Sequence, residues 1–464
     1  MTARKIHFVS LGCVKNRVDT EVMLGVANRD GWRIVDEAEE AEVIVVNTCG
    51  FIGEAKKESI DTILELSEYK RVGSCKKLVV TGCLAQRYAG DLAEKMPEID
   101  HLLGSSDMLR LSEVLAGDAG RVLVGNPADW LVRASDPRVV TQSRASAWVK
   151  IAEGCNRTCS FCVIPQIRGA QRSRSADDIV AEAEQLVAQG AIELNLVSQD
   201  TIGWGRDLPR ADRSPLAELV RRIADVSGVR WVRLFYLYPE AIDDGLIDLL
   251  AGHPRVVPYV DMPLQHASDA MLKRMRRGHG KDRQKKVVER LRERIPGLTM
   301  RTAFIVGHPG ETQSEFDELC AFVTWARFEH AVVFRYSDEE TCTSRALPGK
   351  VPALVAANRA RKLMAIQRRI ARERNRALVG SELDVLVEGA SEEHELVMKG
   401  RHAGQAPDID GSVYLSEGHA KAGEMRRVRI THASDWDLVG DLLGRASAAT
   451  KRRVGLKMLS DHGT

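Results

Sequence analysis

Three short apolar runs, at residues 6–10, 43–46 and 78–80, are each followed three residues later by a cysteine: Cys13, Cys49 and Cys83. Helix-like stretches at 18–28 and 54–68 separate the runs, so the alternation reads as βαβ units on a parallel sheet. In a doubly wound sheet the C-terminal ends of neighbouring strands converge on one crevice. The pattern therefore gathers three cysteines at one edge of an N-terminal α/β domain spanning 1–135. One such cysteine alone reads as a small buried hydrophobe. Three at the same phase of a repeated unit read as ligands to a metal cluster.

A second trio, Cys155, Cys159 and Cys162, sits in a loop after a strand expected at 148–151. Spacings of four and three let three thiolates wrap one face of a cubane iron–sulfur cluster and leave its fourth iron open. Zinc sites favour paired CxxC units with a fourth ligand close by, and no further cysteine follows until Cys320. Cys320 lies in an apolar helical stretch and is expected to be buried. Cys75, in a polar loop, is expected to be exposed. Cys342 has no partner at ligand spacing.

The stretch 125–147, with Pro127, Pro137 and several serines, reads as a linker or hairpin. Strands expected at 148–151, 192–197, 229–235, 256–260, 300–306 and 331–335 then alternate with helical segments. Two of these helices begin on capping-box pairs, Ser175 with Asp178 and Thr312 with Glu315. Six strand–helix repeats over 141–378 predict a partial (β/α)6 barrel, with its chemistry at the C-terminal ends of the strands. A long basic helix at 355–378 closes that region. Period two then takes over from 379 to 442, punctuated by Gly389, Gly400, Gly404, Gly411 and Gly423. That predicts a small antiparallel β-barrel of five or so strands. A polar, basic tail at 443–464 is expected to be loosely ordered.

At 464 residues the chain is too long for one core. Lys+Arg at 67 against Asp+Glu at 65 nearly cancel, so overall charge does not announce a nucleic-acid binder. The basic segments 273–294 and 359–376 read as solvated helix faces with intrahelical Glu partners, or as contacts to nucleic-acid phosphates. No apolar run approaches the ~20 residues of a membrane span and no signal-peptide core opens the chain. A cytoplasmic protein is expected, whose nine cysteines are no disulfide framework.

The phrases Leu11-Gly12-Cys13-Val14-Lys15-Asn16, Asn47-Thr48-Cys49-Gly50-Phe51-Ile52 and Thr81-Gly82-Cys83-Leu84, with the CxxxCxxC loop, resemble the methylthiotransferases over about the first 440 positions. The resemblance implies a cluster-binding domain, a radical S-adenosylmethionine (SAM) barrel and a TRAM-like β-domain. It also implies two 4Fe–4S clusters. The one on Cys155, Cys159 and Cys162 would reduce SAM to a 5′-deoxyadenosyl radical, with Phe161 near the adenine. The one on Cys13, Cys49 and Cys83 would present a methylated sulfide to the substrate radical. Gln199, after the second barrel strand, and Arg301, in a later strand, are polar where a barrel interior could use them on SAM. A structural ion pair explains Arg301 equally well.

Ser198-Gln199-Asp200-Thr201, Arg233-Leu234-Phe235-Tyr236-Leu237-Tyr238-Pro239, Met262-Pro263-Leu264-Gln265-His266 and Ala406-Pro407-Asp408-Ile409-Asp410-Gly411 are similar to the branch that modifies the β-carbon of an aspartate in small-subunit ribosomal protein twelve. The implied partners are that protein, free or within the ribosome, ribosomal RNA and an electron donor. The tRNA adenosine branch tends to carry Gly-Gln-Asn in place of Ser198-Gln199-Asp200. A non-catalytic iron–sulfur protein, RNA-binding or electron-carrying, is a further alternative, disfavoured by the open coordination at both trios. His308 and Cys342 depart from the family pattern, and neither is expected to touch a cluster ligand.

Overall fold

The structure, a computed structural model, describes residues 4–141, 145–391 and 397–443. Its first sheet is wholly parallel: β1 (Lys5–Ser10), β2 (Arg33–Ile34), β3 (Val43–Thr48), β4 (Lys77–Gly82), β5 (His101–Leu103) and β6 (Val122–Leu123), in the order β2-β1-β3-β4-β5-β6. The sequence pattern predicts three of these. The other three have two or three residues each, too short for a period to register. Connectivity reverses direction between β1 and β3, the position where ligands settle in doubly wound folds. Core residues cover both faces of the sheet, with Val43, Val45 and Val79 on one side and Ile44, Val46, Leu78 and Val80 on the other. Fully buried strands lose the polar alternation of a half-exposed sheet, which is why they read as continuous apolar runs.

The second sheet is also parallel and ordered β14-β13-β12-β11-β10-β7. Its strands are β7 (Ser146–Lys150), β10 (Glu193–Val197), β11 (Trp231–Leu234), β12 (Val256–Asp261), β13 (Thr299–Val306) and β14 (His330–Arg335). This is the six-stranded partial barrel. Its outer helices carry apolar stripes; Leu216–Asp225 buries Ala217, Leu219, Val220, Ile223 and Ala224. Of the two predicted capping boxes, Thr312 and Glu315 make both reciprocal bonds, while Ser175 accepts from the Asp178 amide. Inside the barrel, Trp148 packs on Phe235 at 4.8 Å between ring centroids, and Phe235 on Tyr259 at 5.9 Å. The segment expected to link the domains is a strap. Arg138, nearly buried, bridges Glu21 of the first domain and Glu182 of the barrel.

The C-terminal domain is a closed barrel of β15 (Glu382–Ala390), β16 (Met398–His402), β17 (Val413–Glu417), β18 (Met425–Ala433) and β19 (Leu438–Leu442). Closure leaves no open edge. One seam departs from the antiparallel expectation: β17 and β19 run parallel, because β18 intervenes in sequence and pairs β19 on its other side. This domain plugs the larger barrel. Arg401, wholly buried, binds Glu193 of β10, and Arg233 of β11 donates to the Ala403 carbonyl. Apart from Leu443, the tail predicted at 443–464 lies outside the described residues.

The basic helices need one correction. The ion pairs described for them run across elements rather than along the helix. Arg290 pairs with Asp244, Arg292 and Arg374 with Glu329, Arg359 with Glu311, and Arg368 and Arg372 with Asp435 of the β-domain. No described helix is long and apolar enough to cross a membrane.

Candidate functional site

The first cysteine trio sits where three parallel strands end. Cys13 caps the helix Val14–Arg29 and Cys83 begins the helix Cys83–Lys95, so both thiols lie at helix N-termini, where the backbone favours negative charge. The three loops interlock through glycine. A Cβ on Gly12 would lie 2.8 Å from Cys49 Cβ, one on Gly50 2.7 Å from the Cys83 carbonyl, and one on Gly82 2.7 Å from the Thr48 carbonyl. Gly12 and Gly82 also hold φ of +88° and +92°, which side chains rarely adopt. Ser59 Oγ clamps the Cys49 backbone at both its N–H and its carbonyl.

The second trio is carried on a loop pinched at its base by β8 (Ala152–Glu153) and β9 (Arg172–Ser173), an antiparallel pair absent from the sequence reading. Cys155 donates its N–H to the Gly169 carbonyl, and the short helix Ile164–Arg168 completes the closure. Cys155, Cys159 and Cys162 line one cavity of about 430 Å³ together with Asn156, Arg276 and Cys342. The guanidinium of Arg277 and the hydroxyl of Tyr238 both lie 3.4 Å from Cys159 Sγ. Tyr238 is itself sandwiched between Arg157 and Arg277.

A buried network ties the first trio to the base of the loop that carries the second. Arg168 donates to Cys83 Sγ at 3.3 Å, to Asn16 Oδ1 at 2.7 Å and to Asp19 at 2.8 Å. Lys150 pairs with Asp19 and Glu153, and Glu153 accepts from Gln199. Burial alone would raise the Glu153 pKa, but Lys150 and Arg168 hold it down at about 2. With charges matched in this way, the interface between the N-terminal domain and the barrel is polar yet buried.

The predicted ligands therefore fall into two sets of three, none in a disulfide. Among the described residues no three His, Cys, Asp or Glu side chains converge on a single ion. Burial pushes the Cys49 and Cys162 thiols up to about 12 and Cys155 to about 11, so in the metal-free fold these are protonated. Thiols of this kind, flanked by N–H donors to sulfur, fit iron–sulfur clusters, whose positive charge replaces the protons. Unpartnered polar atoms fit a further ligand beside the second trio. Among the described residues, Gln199 Oε1, Asp200 Oδ1 and Glu240 Oε2 are buried with no hydrogen-bond partner.

Other sequence expectations land elsewhere. Phe161 is half-buried and does not line the cavity of the second trio. Arg301 lines a different cavity, with Cys13 on its wall, and pairs with Asp261 and Asp410. Cys320 is buried, as expected. Cys75 is not exposed: its loop folds back so that the thiol packs among Ile44, Leu78 and neighbours. Cys342 was expected clear of the ligands, yet it shares the second trio's cavity and packs with Cys83 against Val163 and Ile167. The sequence reading passed over Asp19, Lys150, Glu153 and Arg168 altogether, and met Asn16 only as the end of a family phrase. Their one local signal is the polar pair Asn16 and Asp19, a turn apart on an otherwise core-facing helix.

Family models match three segments. Residues 5–104 match the uncharacterized protein family UPF0004, 149–323 the Radical SAM superfamily and 379–443 the TRAM domain. A ribosomal protein uS12 methylthiotransferase RimO from Sorangium cellulosum is 65% identical, over 100% of this chain and 99% of that protein. The RimO of Myxococcus xanthus is 49% identical over 96% of this chain and 93% of its own length. The chain belongs to the RimO family. It is a radical SAM methylthiotransferase, with an iron–sulfur cluster and SAM as cofactors. A solved radical SAM methyltransferase, TsrM from Kitasatospora setae, shares the fold at TM-score 0.51 and 17% identity, covering 72% of this chain and 75% of that one.

Proposed function

We propose that this RimO-family chain adds a methylthio group to the β-carbon of an aspartate in ribosomal protein uS12. The observation that carries the reading is the reach of Arg168, from the loop of the second trio, to the Cys83 sulfur of the first. It makes both thiol sets parts of one interface. The full-length relatives named for uS12 support the substrate. Two 4Fe–4S clusters, with SAM at the one on Cys155, Cys159 and Cys162, would supply radical C–H activation and the sulfur to be inserted, which no ionisable side chain provides.

The chain's own residues bind, orient and shield. Cys13, Cys49 and Cys83 hold one cluster and the second trio the other, each thiol giving up its proton on ligation. Gln199, its amide nitrogen tied to Glu153, would offer its unpartnered Oε1 to SAM, whereas Phe161, which does not line the cavity of the second trio, could meet the adenine only at its margin. Arg301, its charge met by Asp261 and Asp410, holds the β-domain loop over the barrel instead of binding SAM. Trp148 and Phe235 exclude water from the cavity beside Cys13. The functional division is 1–135, 141–378 and 379–442, with the β-domain contacting ribosomal RNA. The enzyme works in the cytoplasm with an external electron donor, on uS12 alone or in an assembling ribosome.

The test is anaerobic reconstitution with SAM and reductant, then mass spectrometry of ribosomal-protein peptides and tRNA nucleosides. A methylthio gain on a uS12 aspartate is expected. A gain only on adenosine refutes the substrate, and no 5′-deoxyadenosine at full iron content refutes the enzyme reading.

A further inference from the structure

A cavity of about 310 Å³ lies where the three domains meet. Cys13, Trp148 and Phe235 form part of its wall, and an ion pair crosses it, Arg17 Nη1 to Asp408 Oδ2 at 2.9 Å. Arg17 is one helical turn beyond Cys13 and donates its N–H to the Cys13 carbonyl. Asp408 comes from the β-domain loop between β16 and β17.

Three observations single out this pair. First, two guanidinium groups line the cavity, and the charge of Arg301 is already met by the buried carboxylates of Asp261 and Asp410. Arg17 is matched by a carboxylate whose side chain is 43% exposed, in a pair that solvent can enter. Second, Asp408 holds φ of +64°, and Tyr236, on the same cavity wall, holds +57°. Only five described non-glycine residues have positive φ, so two at one small cavity is a concentration of strain of the kind found at functional sites. Third, an exposed ion pair of this type is weak enough for an incoming carboxylate to displace it.

We propose that Arg17 receives the carboxylate of the aspartate to be modified, and that Asp408 holds that place until the substrate arrives. The inference rests on the functional reading above and extends it to the residue that selects the side chain. The β-carbon of aspartate is bonded directly to its carboxylate. Anchoring that group on Arg17 therefore fixes the reacting carbon to within one bond, in a cavity with Cys13 on its wall. An asparagine at the same position would leave the Arg17 charge unmet.

The experiment uses the full cluster-loaded chain and two fluorescent peptides of uS12 spanning the target position, one with the native aspartate and one with asparagine there. Anisotropy gives the dissociation constants, and methylthio formation gives kcat and KM. Asp408→Asn and Asp408→Gly should each tighten the aspartate peptide about two- to fivefold, the factor carried by an exposed ion pair, and leave the asparagine peptide unchanged. Glycine also relieves the left-handed backbone, so a folding defect cannot mimic this result. Arg17→Gln should weaken the aspartate peptide at least about tenfold and abolish the preference over asparagine. The idea is overturned if neither Asp408 variant tightens binding, or if Arg17→Gln keeps the preference. Wild-type protein that modifies tRNA and no ribosomal protein overturns the functional reading, and this inference with it. An active wild type with an unaffected Arg17→Gln variant overturns this inference alone.

Discussion

Glu193 is the carboxylate on which the β-domain is seated, and replacing it with glutamine gives a sharp test of how the two barrels hold together. It is completely buried, with Arg401 of the β-domain at 2.6 Å and Arg233 of β11 at 3.1 Å. Burial alone would raise its pKa; Arg401 first and Arg233 second hold it at about 2 against an ordinary 4.5. That depression corresponds to about 3 kcal/mol of stability near neutral pH. Removing one partner from a buried pair costs about 3–5 kcal/mol by an independent route. The two arginines do not share the gain equally. Burial leaves Arg233 below its ordinary value, whereas Glu193 and Glu388 carry Arg401 above its own. The Arg401 arm is also the shorter, at 2.6 Å against 3.1 Å. Glu193→Gln should lower the apparent Tm of the barrel transition by about 6–12 °C at pH 7, given about 2–4 °C per kcal/mol for a unit of this size. The scan is read as a midpoint rather than a free energy, because a chain of several domains is not two-state. The sign of the pH dependence follows from a depressed carboxylate pKa. The stabilisation is fully present above pH 4.5 and is lost as pH falls towards 2. The gap between wild type and variant should therefore persist from pH 8 to 5 and narrow only below about 4.5. A gap under about 2 °C at pH 7, or one that closes between pH 7 and 5, would refute Glu193 as the seat of the β-domain.

Other expectations follow from the same kind of reasoning. Arg168→Met removes the charged donor on Cys83 Sγ and should lower the reduction potential of the N-terminal cluster by about 50–100 mV with its iron retained, read by EPR-monitored titration; an unchanged potential would separate Arg168 from that cluster. Converting Cys13, Cys49 and Cys83 to Ala should remove about half the iron yet leave some SAM cleavage, whereas loss of all iron would contradict two independent sites. His308 is buried and pushed down to about 4, chiefly by burial. It is neutral above pH 6.5 and increasingly costly as pH falls from there towards 4, so His308→Phe should narrow its Tm difference from wild type, or overtake it, in that window. Tm measured at pH 7 and pH 5 decides this, and a parallel fall in both proteins would contradict it.

Much of the architecture was legible because burial writes itself into local pattern. The runs around Val45 and Val79 are apolar at consecutive positions since both faces of their sheet are covered. Their phase relative to Cys13, Cys49 and Cys83 placed the first trio before any contact was known. What escaped the sequence is whatever depends on partners distant in the chain. Asp19 meets Lys150 and Arg168 across about 130 and 149 positions, and no local spacing encodes that. Cys75 sits in polar surroundings in sequence but in apolar ones in space, so local composition misplaced it, and no spacing in the sequence brings Cys342 to the cavity of the second trio. The short strands β2, β5 and β6 show no period because two or three residues cannot display one.

The interlocked glycines of the first trio also bear on how such a site can change over generations. Each loop borders another across a gap that a single methyl group would close. No one of the three cysteine loops can drift alone, and divergence there has to be concerted. For protein engineering the same fact defines a transplantable unit. Moving this site to another doubly wound sheet means carrying three cysteine–glycine pairs together, because any one of them without the others meets a collision in place of a neighbour.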